Sequence, residues 1–307
     1  MGKETRPLAV VTGGSSGIGL ELARGLAKRG YDLVIGGQEQ SKLDRASTEL
    51  RHEGGNVHPI SADLTRPEEV ERFHAEASTR GPIEVFCANA GVGQGGGDFA
   101  ETDLHSELRL IDLNVRSQVH LTKLIVPDMV ARHSGHILFT ASIASLMPGP
   151  FEAVYAASKA FIRSFGEALR NELADKDIVV TVLKPGPTET DFFRRAAMIG
   201  TPAGDARKDD PAAVARQGLD ALFRGKHHVV SASLLTKAQA ATSAFMNDPA
   251  LAIVHRKQTE PKAHRAARSR TIGAGTVAGG ALLVAAGLLA ANALKRRAGE
   301  LEDLYRY

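Results

Sequence analysis

Leu8-Ala9-Val10-Val11, a short apolar run, leads directly into Thr12-Gly13-Gly14-Ser15-Ser16-Gly17-Ile18-Gly19. The run reads as a buried strand. Ile18, Leu22 and Leu26 then recur at helical spacing until Lys28-Arg29-Gly30 supplies a cationic last turn and a glycine stop. Strand, glycine turn and helix in that order constrain the fold more than any other stretch, because they open a unit whose next strand runs parallel to the first. Glycines at 13, 17 and 19 permit a tight turn, close backbone approach to a pyrophosphate and close packing of helix on strand. The free N–H groups of the helix start then face the anion. Gly13, Ser15, Ser16, Gly17, Ile18 and Gly19 are thereby candidate dinucleotide binders. Their spacing is G-x-x-x-G-x-G, not the G-x-G-x-x-G of larger dinucleotide-binding enzymes.

The alternation of strand and helix continues. Strands are expected near Leu8 to Val11, Asp32 to Ile35, Asn56 to Ile60, Val85 to Ala88, Gly135 to Thr140, Val179 to Lys184 and His228 to Ser231. With amphipathic helices between them, this is an α/β fold built on a doubly wound parallel sheet, and 307 residues at 43% hydrophobic suffice for one sizeable core. The expected division is a dinucleotide-binding catalytic domain at 1–254, a basic linker at 255–271, an apolar C-terminal helix at 272–294 and a short polar tail at 295–307. Gly91 to Gly97 contains five glycines and only Val92 as an apolar anchor, so mobility is expected there. Thr188 to Asp210 carries Phe192, Phe193, Ala196, Met198 and Ile199, which suit either an apolar substrate-facing surface or an anchor to the body.

Tyr155 and Lys159 stand four residues apart, and Ser142 closes the apolar stretch Ile137 to Ala141. On a helix the first two share a face, which brings a lysine ammonium near a phenol that ordinarily titrates near pH ~10. A neighbouring cation favours the phenolate and moves such a group toward general acid/base work. Ser142 adds a hydroxyl that can orient a carbonyl or alcohol.

Read in order, Thr12 to Gly19, Ala62-Asp63-Leu64, Asn89-Ala90-Gly91, Asn114, Ser142, Tyr155 with Lys159, and Pro185-Gly186-Pro187-Thr188-Glu189-Thr190 resemble the short-chain dehydrogenase/reductase family in its compact single-domain form. The resemblance implies a Rossmann fold and hydride transfer between a nicotinamide cofactor and a carbonyl or alcohol. It implies that Tyr155 is the acid/base, that Lys159 lowers its pKa and holds the nicotinamide ribose, that Ser142 binds the substrate oxygen, and that Asn114 supports a water-linked proton relay. It places Asp63 and Leu64 beside the adenine, lines the cofactor with Asn89, Ala90, Gly91, Pro185, Gly186 and Thr188, and makes Thr188 to Asp210 a lid. It also sets the helix beginning near Tyr155, with Phe161, Ile162, Phe165 and Leu169, against a second subunit, which implies a homo-oligomer. Local chemistry leaves alternatives open: Asp63 as a helix cap, Asn89-Ala90-Gly91 as a plain turn, Asn114 as a structural brace, and the aromatic stripe as core.

Cofactor choice rests on the residues after the second strand, Gly36-Gly37-Gln38. An acid there would bond the ribose hydroxyls of NAD and an arginine would take the 2′-phosphate of NADP. With no acid present the reading leans to NADP(H) over NAD(H), with Gln38 on the ribose side and Lys42 or Arg45 as stand-ins, although Glu39 pulls the other way. The single cysteine, Cys87, stands where the family usually has another asparagine, reads as a small core residue and excludes an internal disulfide. The eleven histidines show no metal-ligand spacing in a supporting motif, so no metal is expected.

Residues 255–307 hold ten Lys/Arg against four Asp/Glu, while the whole chain is +3, so the basic charge belongs to the tail and residues 1–254 are net acidic. A nucleic-acid role is not supported, since the basic run lacks interleaved aromatics. Thr271 to Leu294 is uncharged, and a helix of that length spans ~36 Å against a ~30 Å hydrocarbon core. It is also rich in Ala and Gly, with Gly275 and Gly279 as a G-x-x-x-G pair, so close helix association competes with membrane insertion. The expectation is a cytoplasmic domain attached to the inner face of a membrane, with a soluble cytoplasmic protein as the alternative. The expected function is an oxidoreductase acting on a small, apolar carbonyl or alcohol. The competing class is a membrane-tethered nucleotide-binding scaffold without turnover, which retention of all four catalytic positions disfavours.

Overall fold

Parallel strands buried on both faces need apolar residues at every position, and the strand runs of this chain have them. In a computed structural model, which describes residues 6–231, 246–262, 264 and 265, seven of these runs form one sheet with the order β3-β2-β1-β4-β5-β6-β7. The strands are β1 (Leu8–Thr12), β2 (Asp32–Gly37), β3 (Val57–Ser61), β4 (Ile83–Ala88), β5 (Gly135–Thr140), β6 (Ile178–Pro185) and β7 (His228–Ser231), and every pairing is parallel. All seven fall where sequence periodicity placed them.

The side-chain period of two sends alternate residues of each strand to opposite layers. Leu8 and Val10 join Phe73, Phe86, Ile125, Met129, Phe139 and Ile162 in one core. Ala9 and Val11 join Leu22, Leu26, Leu33, Ile35, Leu138, Leu183 and Leu219 in the other. Each fully buried Leu, Ile or Phe contributes roughly 1.5–3 kcal/mol, so the sheet is held from both sides. The strand order reverses where β1 is flanked by β2 and β4, and the crevice at the carboxyl ends of these strands is the natural ligand site of such a sheet.

Three helices bear directly on that crevice. The first, α1 (Gly17–Ala27), starts from the glycine turn. The second, Ala153–Glu172, carries Tyr155 and Lys159 and sends Ile162 into the core, with Phe165 and Leu169 packed against it and Phe161 left exposed. The third, Asp248–Thr259, crosses position 255, where sequence reading began a basic linker, and buries Leu251, His255 and Thr259. Among the described residues no helix is long and apolar enough to cross a membrane. The segment 272–294, expected to be an apolar helix, lies outside the described residues, as do 263, 266–271 and all of 295–307.

Candidate active site

The glycine turn is shaped by contacts that leave no room for a side chain. Gly13 and Gly17 have φ of +66 and +55, in the left-handed region that favours glycine. A Cβ at Gly19 would strike the carbonyl of Gly13 and lie 2.5 Å from Nδ2 of Asn89. Ser16 caps α1 in an extended conformation without a capping bond from its side chain, so that side chain claims none of the first-turn N–H groups. Thr12 is the hub beneath the turn. Its hydroxyl donates to the Cys87 carbonyl and accepts from the N–H groups of Asn89 and Ala90, both at 3.0 Å. Asn89 returns a bond from Nδ2 to the Thr12 carbonyl at 3.1 Å. Asn89 and Ala90 are thus fixed against the turn, while buried Cys87, its thiol pushed up to about 12 by burial, is an inert core residue.

One cleft of about 360 Å³ gathers the candidates from these strand ends. Its lining includes Gly13, Ser15, Ser16, Gly17, Ile18 and Gly19, then Gln38, Asp63, Leu64, Asn89, Ala90 and Gly91, then Ser142, Tyr155, Lys159, Pro185, Gly186 and Thr188. Asn114 is set behind the wall, and Arg45, offered as a stand-in to take the 2′-phosphate, does not line the cleft, whereas Lys42 does. The glycine cradle and these polar groups fit a dinucleotide with its pyrophosphate on the helix start.

Asp63 does not cap a helix. Its carboxylate accepts from the N–H and hydroxyl of Thr65 at 3.2 and 2.7 Å, and Arg109 lies 3.2 Å away. Burial pushes this carboxyl up, but the Thr65 bonds and the Arg109 guanidinium outweigh it and hold it below its usual range. On the helix Gln40–Arg51 that follows β2, Lys42 is tied to Glu39 at 2.6 Å, so the first cation after Gln38 already has an anionic partner.

Asn114 sits in a π-helical turn, Asp112–Arg116, that interrupts a helical run. The widened turn carries a fully buried amide, and such insertions concentrate at functional sites. Its Oδ1 accepts from the Val92 N–H at 2.9 Å, and its Nδ2 donates to the Val92 carbonyl and to the Ser158 hydroxyl. All of this amide's visible bonds brace Val92 and the Tyr155 helix. A Cβ on Gly91 would lie 3.0 Å from Asn114 Oδ1 and 3.2 Å from Lys159 Nζ, so the absence of a side chain there brings these two polar groups close to the same backbone atom.

Tyr155 and Lys159 share one face and are both buried, as the four-residue spacing requires. Lys159 donates to the Thr140 carbonyl at 3.0 Å, and its Nζ is 5.9 Å from the Tyr155 ring centre. Burial raises the phenol above its usual range, the Glu152 carboxylate raises it further, and the Ser142 hydroxyl pulls it back by hydrogen bonding. Burial also lowers the Lys159 ammonium to about 8. The depression of Tyr155 by Lys159, expected from spacing, does not emerge here: burial and Glu152 raise the phenol, and Ser142 is the group that lowers it. Ser142, extended at the end of β5, accepts from the Ala144 N–H at 3.1 Å, which fixes its oxygen beside the phenol.

The lid closes over this trio. Phe192 stacks at a tilt 5.3 Å from the Tyr155 ring, and Phe193 and Met198 are buried with it. The glycine loop 91–97, expected to be mobile, is fastened to its surroundings: the N–H of Gly95 bonds the Ala196 carbonyl and that of Gly96 bonds the Phe151 carbonyl, both at 3.0 Å. Glu152, His255, Gln258 and Thr259 also line the cleft. Sequence reasoning missed these four, and it named Thr12 only as the first residue of the glycine motif, without a role. Glu152 stands three residues before Tyr155 of a recognised motif, whereas nothing in the sequence ties residues 255–259 to the site.

A family model described as short chain dehydrogenase matches residues 7–198. An uncharacterized short-chain type dehydrogenase/reductase of Sinorhizobium fredii is 36% identical over 62% of this chain and 73% of its own length. A short chain dehydrogenase of Pseudocercospora fijiensis is 30% identical over 60% of each protein, so the chain spans less than two thirds of that relative. Among solved structures, L-sorbose reductase from Gluconobacter frateurii, complexed with NADPH and L-sorbose, is 26% identical with a TM-score of 0.66 over 75% of this chain and 97% of its own. A short chain dehydrogenase/reductase from Burkholderia phymatum in complex with NAD shares the fold, with a TM-score of 0.71 at 23% identity over 81% of this chain and 98% of its own.

Proposed function

The chain belongs to the short-chain dehydrogenase/reductase family, whose members are NAD(P)-dependent oxidoreductases of alcohol and carbonyl groups, and on that premise we propose that it reduces a carbonyl with Tyr155 as proton donor. The observation that carries this reading is the convergence of Ser142, Tyr155 and Lys159 beside the glycine cradle in one cleft. When bound, the nicotinamide cofactor supplies the hydride in the reducing direction and accepts it in the other.

The chain's own residues do the rest. Gly13, Gly17 and Gly19 would let the backbone approach a bound pyrophosphate, while Asp63 and Leu64 would meet the adenine and Lys159 would hold the ribose, all of them lining the one cleft. Ser142 and Tyr155 bind the substrate oxygen, and the phenol gives its proton as negative charge develops there. A phenol kept protonated by burial suits the donor role, and Lys159, at about 8, is poised to pass a proton on near neutral pH. Asn114, by bracing the Tyr155 helix against Val92, keeps the donor in register and supports the relay behind Lys159.

NADP(H) is the favoured cofactor, because no acid stands at 36–38 and a 2′-phosphate can compete with Glu39 for Lys42. The substrate meets the apolar lid residues Phe192, Phe193 and Met198. Exposed Leu104, Leu108 and Ile111 on one helix and Phe161 on the Tyr155 helix packed beside it support a homo-oligomer. Attachment to the inner face of a membrane rests on the sequence of 272–294 alone. The test is turnover of varied aldehydes and ketones with NADPH and NADH side by side. Turnover that requires cofactor and vanishes in Tyr155→Phe supports the reading, and cofactor binding without turnover would favour the scaffold.

A further inference from the structure

The two ends of the cleft are chemically different. Ser142 and Tyr155 stand past β5 at one end, Asp63 and Leu64 stand just past β3 at the other, and the glycine cradle after β1 lies between them. A dinucleotide with its pyrophosphate on the cradle and its nicotinamide beside Tyr155 therefore sends its adenosine half over β2 toward β3. Its base comes to Asp63.

Arg109 also lines the cleft, reaching in from the helix Leu104–Ile111. Its Nη2 donates to Asp63 Oδ2 at 3.2 Å and lies 3.4 Å from Oδ1, and its Nη1 lies 3.5 Å from the Thr65 hydroxyl. Further along the same helical run, Arg116 donates to the Thr65 carbonyl at 2.7 Å. The segment Asp63 to Thr65 is thus held from one side by both guanidinium groups. Two partly exposed charges gain little stability from pairing, so the arrangement asks for another reason.

The bonds on the carboxylate supply one, because they are unevenly divided. Oδ1 accepts from the N–H and the hydroxyl of Thr65, whereas among the described residues Oδ2 accepts from Arg109 alone. An ionised carboxylate offers about four acceptor sites, so Oδ2 keeps capacity for a further donor. Burial pushes this carboxyl up, but the Thr65 bonds and the Arg109 charge hold it below its usual range, which keeps it an acceptor. Adenine carries the matching group, an exocyclic amine, where hypoxanthine has a carbonyl oxygen. Fixing a rotatable carboxylate before the ligand arrives lowers the cost of binding.

We propose that Arg109 is a positioning residue for the base of the cofactor: it holds the Asp63 carboxylate with Oδ2 aimed at the exocyclic amine, and so makes the cleft select adenine over a base that carries a carbonyl there. This assignment rests on the reading of the same cleft as a nicotinamide-dinucleotide site.

Calorimetric titration tests it without turnover, using NADP, NAD and the hypoxanthine analogue of each with full-length wild type, Arg109→Met, Asp63→Ala and the double variant. For whichever cofactor binds more tightly, wild type should favour the adenine form by about tenfold or more, the scale of one hydrogen bond to a charged acceptor. Arg109→Met should shrink that ratio to about threefold or less, chiefly by weakening the adenine form. In the Asp63→Ala background the same replacement should leave the ratio where it is, because Arg109 acts through the carboxylate. Mere loss of a cation near the phosphates would weaken both forms alike and spare the ratio. Thermal unfolding without ligand reports whether each variant is folded, and Arg109→Gln is read if methionine is not tolerated. A wild-type ratio near one, a ratio that survives in the folded Arg109 variant, or one that Arg109→Met still moves without Asp63 overturns the proposal. Failure of wild type to bind any of these nucleotides would instead overturn the dinucleotide reading of the cleft.

Discussion

Replacing Lys159 with Met should make the protein more stable and inactive at once. The ammonium is buried, and desolvation brings it from an ordinary 10.5 down to about 8. At ~1.36 kcal/mol per pKa unit, holding the charged form in the folded protein costs roughly 3 kcal/mol. Methionine keeps the length and removes the charge, but leaves the Thr140 carbonyl without its donor at the cost of about 1 kcal/mol. The net expectation is a gain of ~2 kcal/mol at pH 7, a rise of roughly 4–8 °C in Tm on the size scaling of unfolding entropy. The pH dependence fixes the cause. The folded pKa lies below the unfolded one, so the penalty is fully present below about 8 and is relieved as pH rises toward 10.5. Wild-type stability should therefore climb relative to the variant between pH 8 and 9. Above that, Cys87, raised from 9.0 to about 12, acts in the opposite sense in both proteins. Thermal and urea unfolding without nucleotide, run across this range, read both quantities. A Lys159→Met protein less stable than wild type, or one whose difference from wild type ignores pH, would refute the reasoning.

Other outcomes follow from the cofactor end and the tail. Gly37→Asp should shift the NADPH/NADH ratio of kcat/KM toward NADH by about tenfold or more, since a carboxylate accepts from the ribose hydroxyls and repels a 2′-phosphate. The new Cβ would sit 3.1 Å from Ser15 Oγ and 3.3 Å from Leu43 Cδ2, contacts that small side-chain rotations relieve. The full chain should pellet with membranes and resist a high-salt wash, while a chain ending at Arg265 should be soluble and retain turnover. The cut belongs there because the helix Asp248–Thr259 lines the cleft and His264 lies 2.8 Å from Asp98. Full-length protein found wholly in the soluble fraction would remove the anchor from the account.

The sheet was legible because parallel strands must be apolar throughout, and Leu8 to Val11, Gly135 to Thr140 and Val179 to Lys184 are bounded by residues that stop strands. The cradle was legible because only glycine tolerates the backbone of positions 13 and 17 and the contact at 19. Three features were not. The π turn at Asn114 shifts the hydrogen-bond ladder by one residue without altering the apolar pattern that marks a helix. The environment of Tyr155 depends on burial and on Glu152, whereas spacing reports only that Lys159 shares its face. His255 joins Glu152 through tertiary folding across a large sequence separation, and in the sequence it sits among basic residues that look like a linker. The glycine loop misled for a related reason: composition signals freedom, but the N–H groups of Gly95 and Gly96 are held by the lid and by Phe151.

The central claim is hydride transfer to a carbonyl with Tyr155 as proton donor, and isotope transfer tests it most directly. Wild type and Tyr155→Phe are incubated at equal concentration with a carbonyl substrate and reduced nicotinamide cofactor deuterated at the transferable position, and the alcohol is analysed by mass. The account expects deuterium on the carbinol carbon with wild type and a yield at least about a hundredfold lower with the variant, the scale of general acid catalysis, at nearly unchanged cofactor affinity. Alcohol without deuterium at that carbon, or equal yield from Tyr155→Phe, would contradict it.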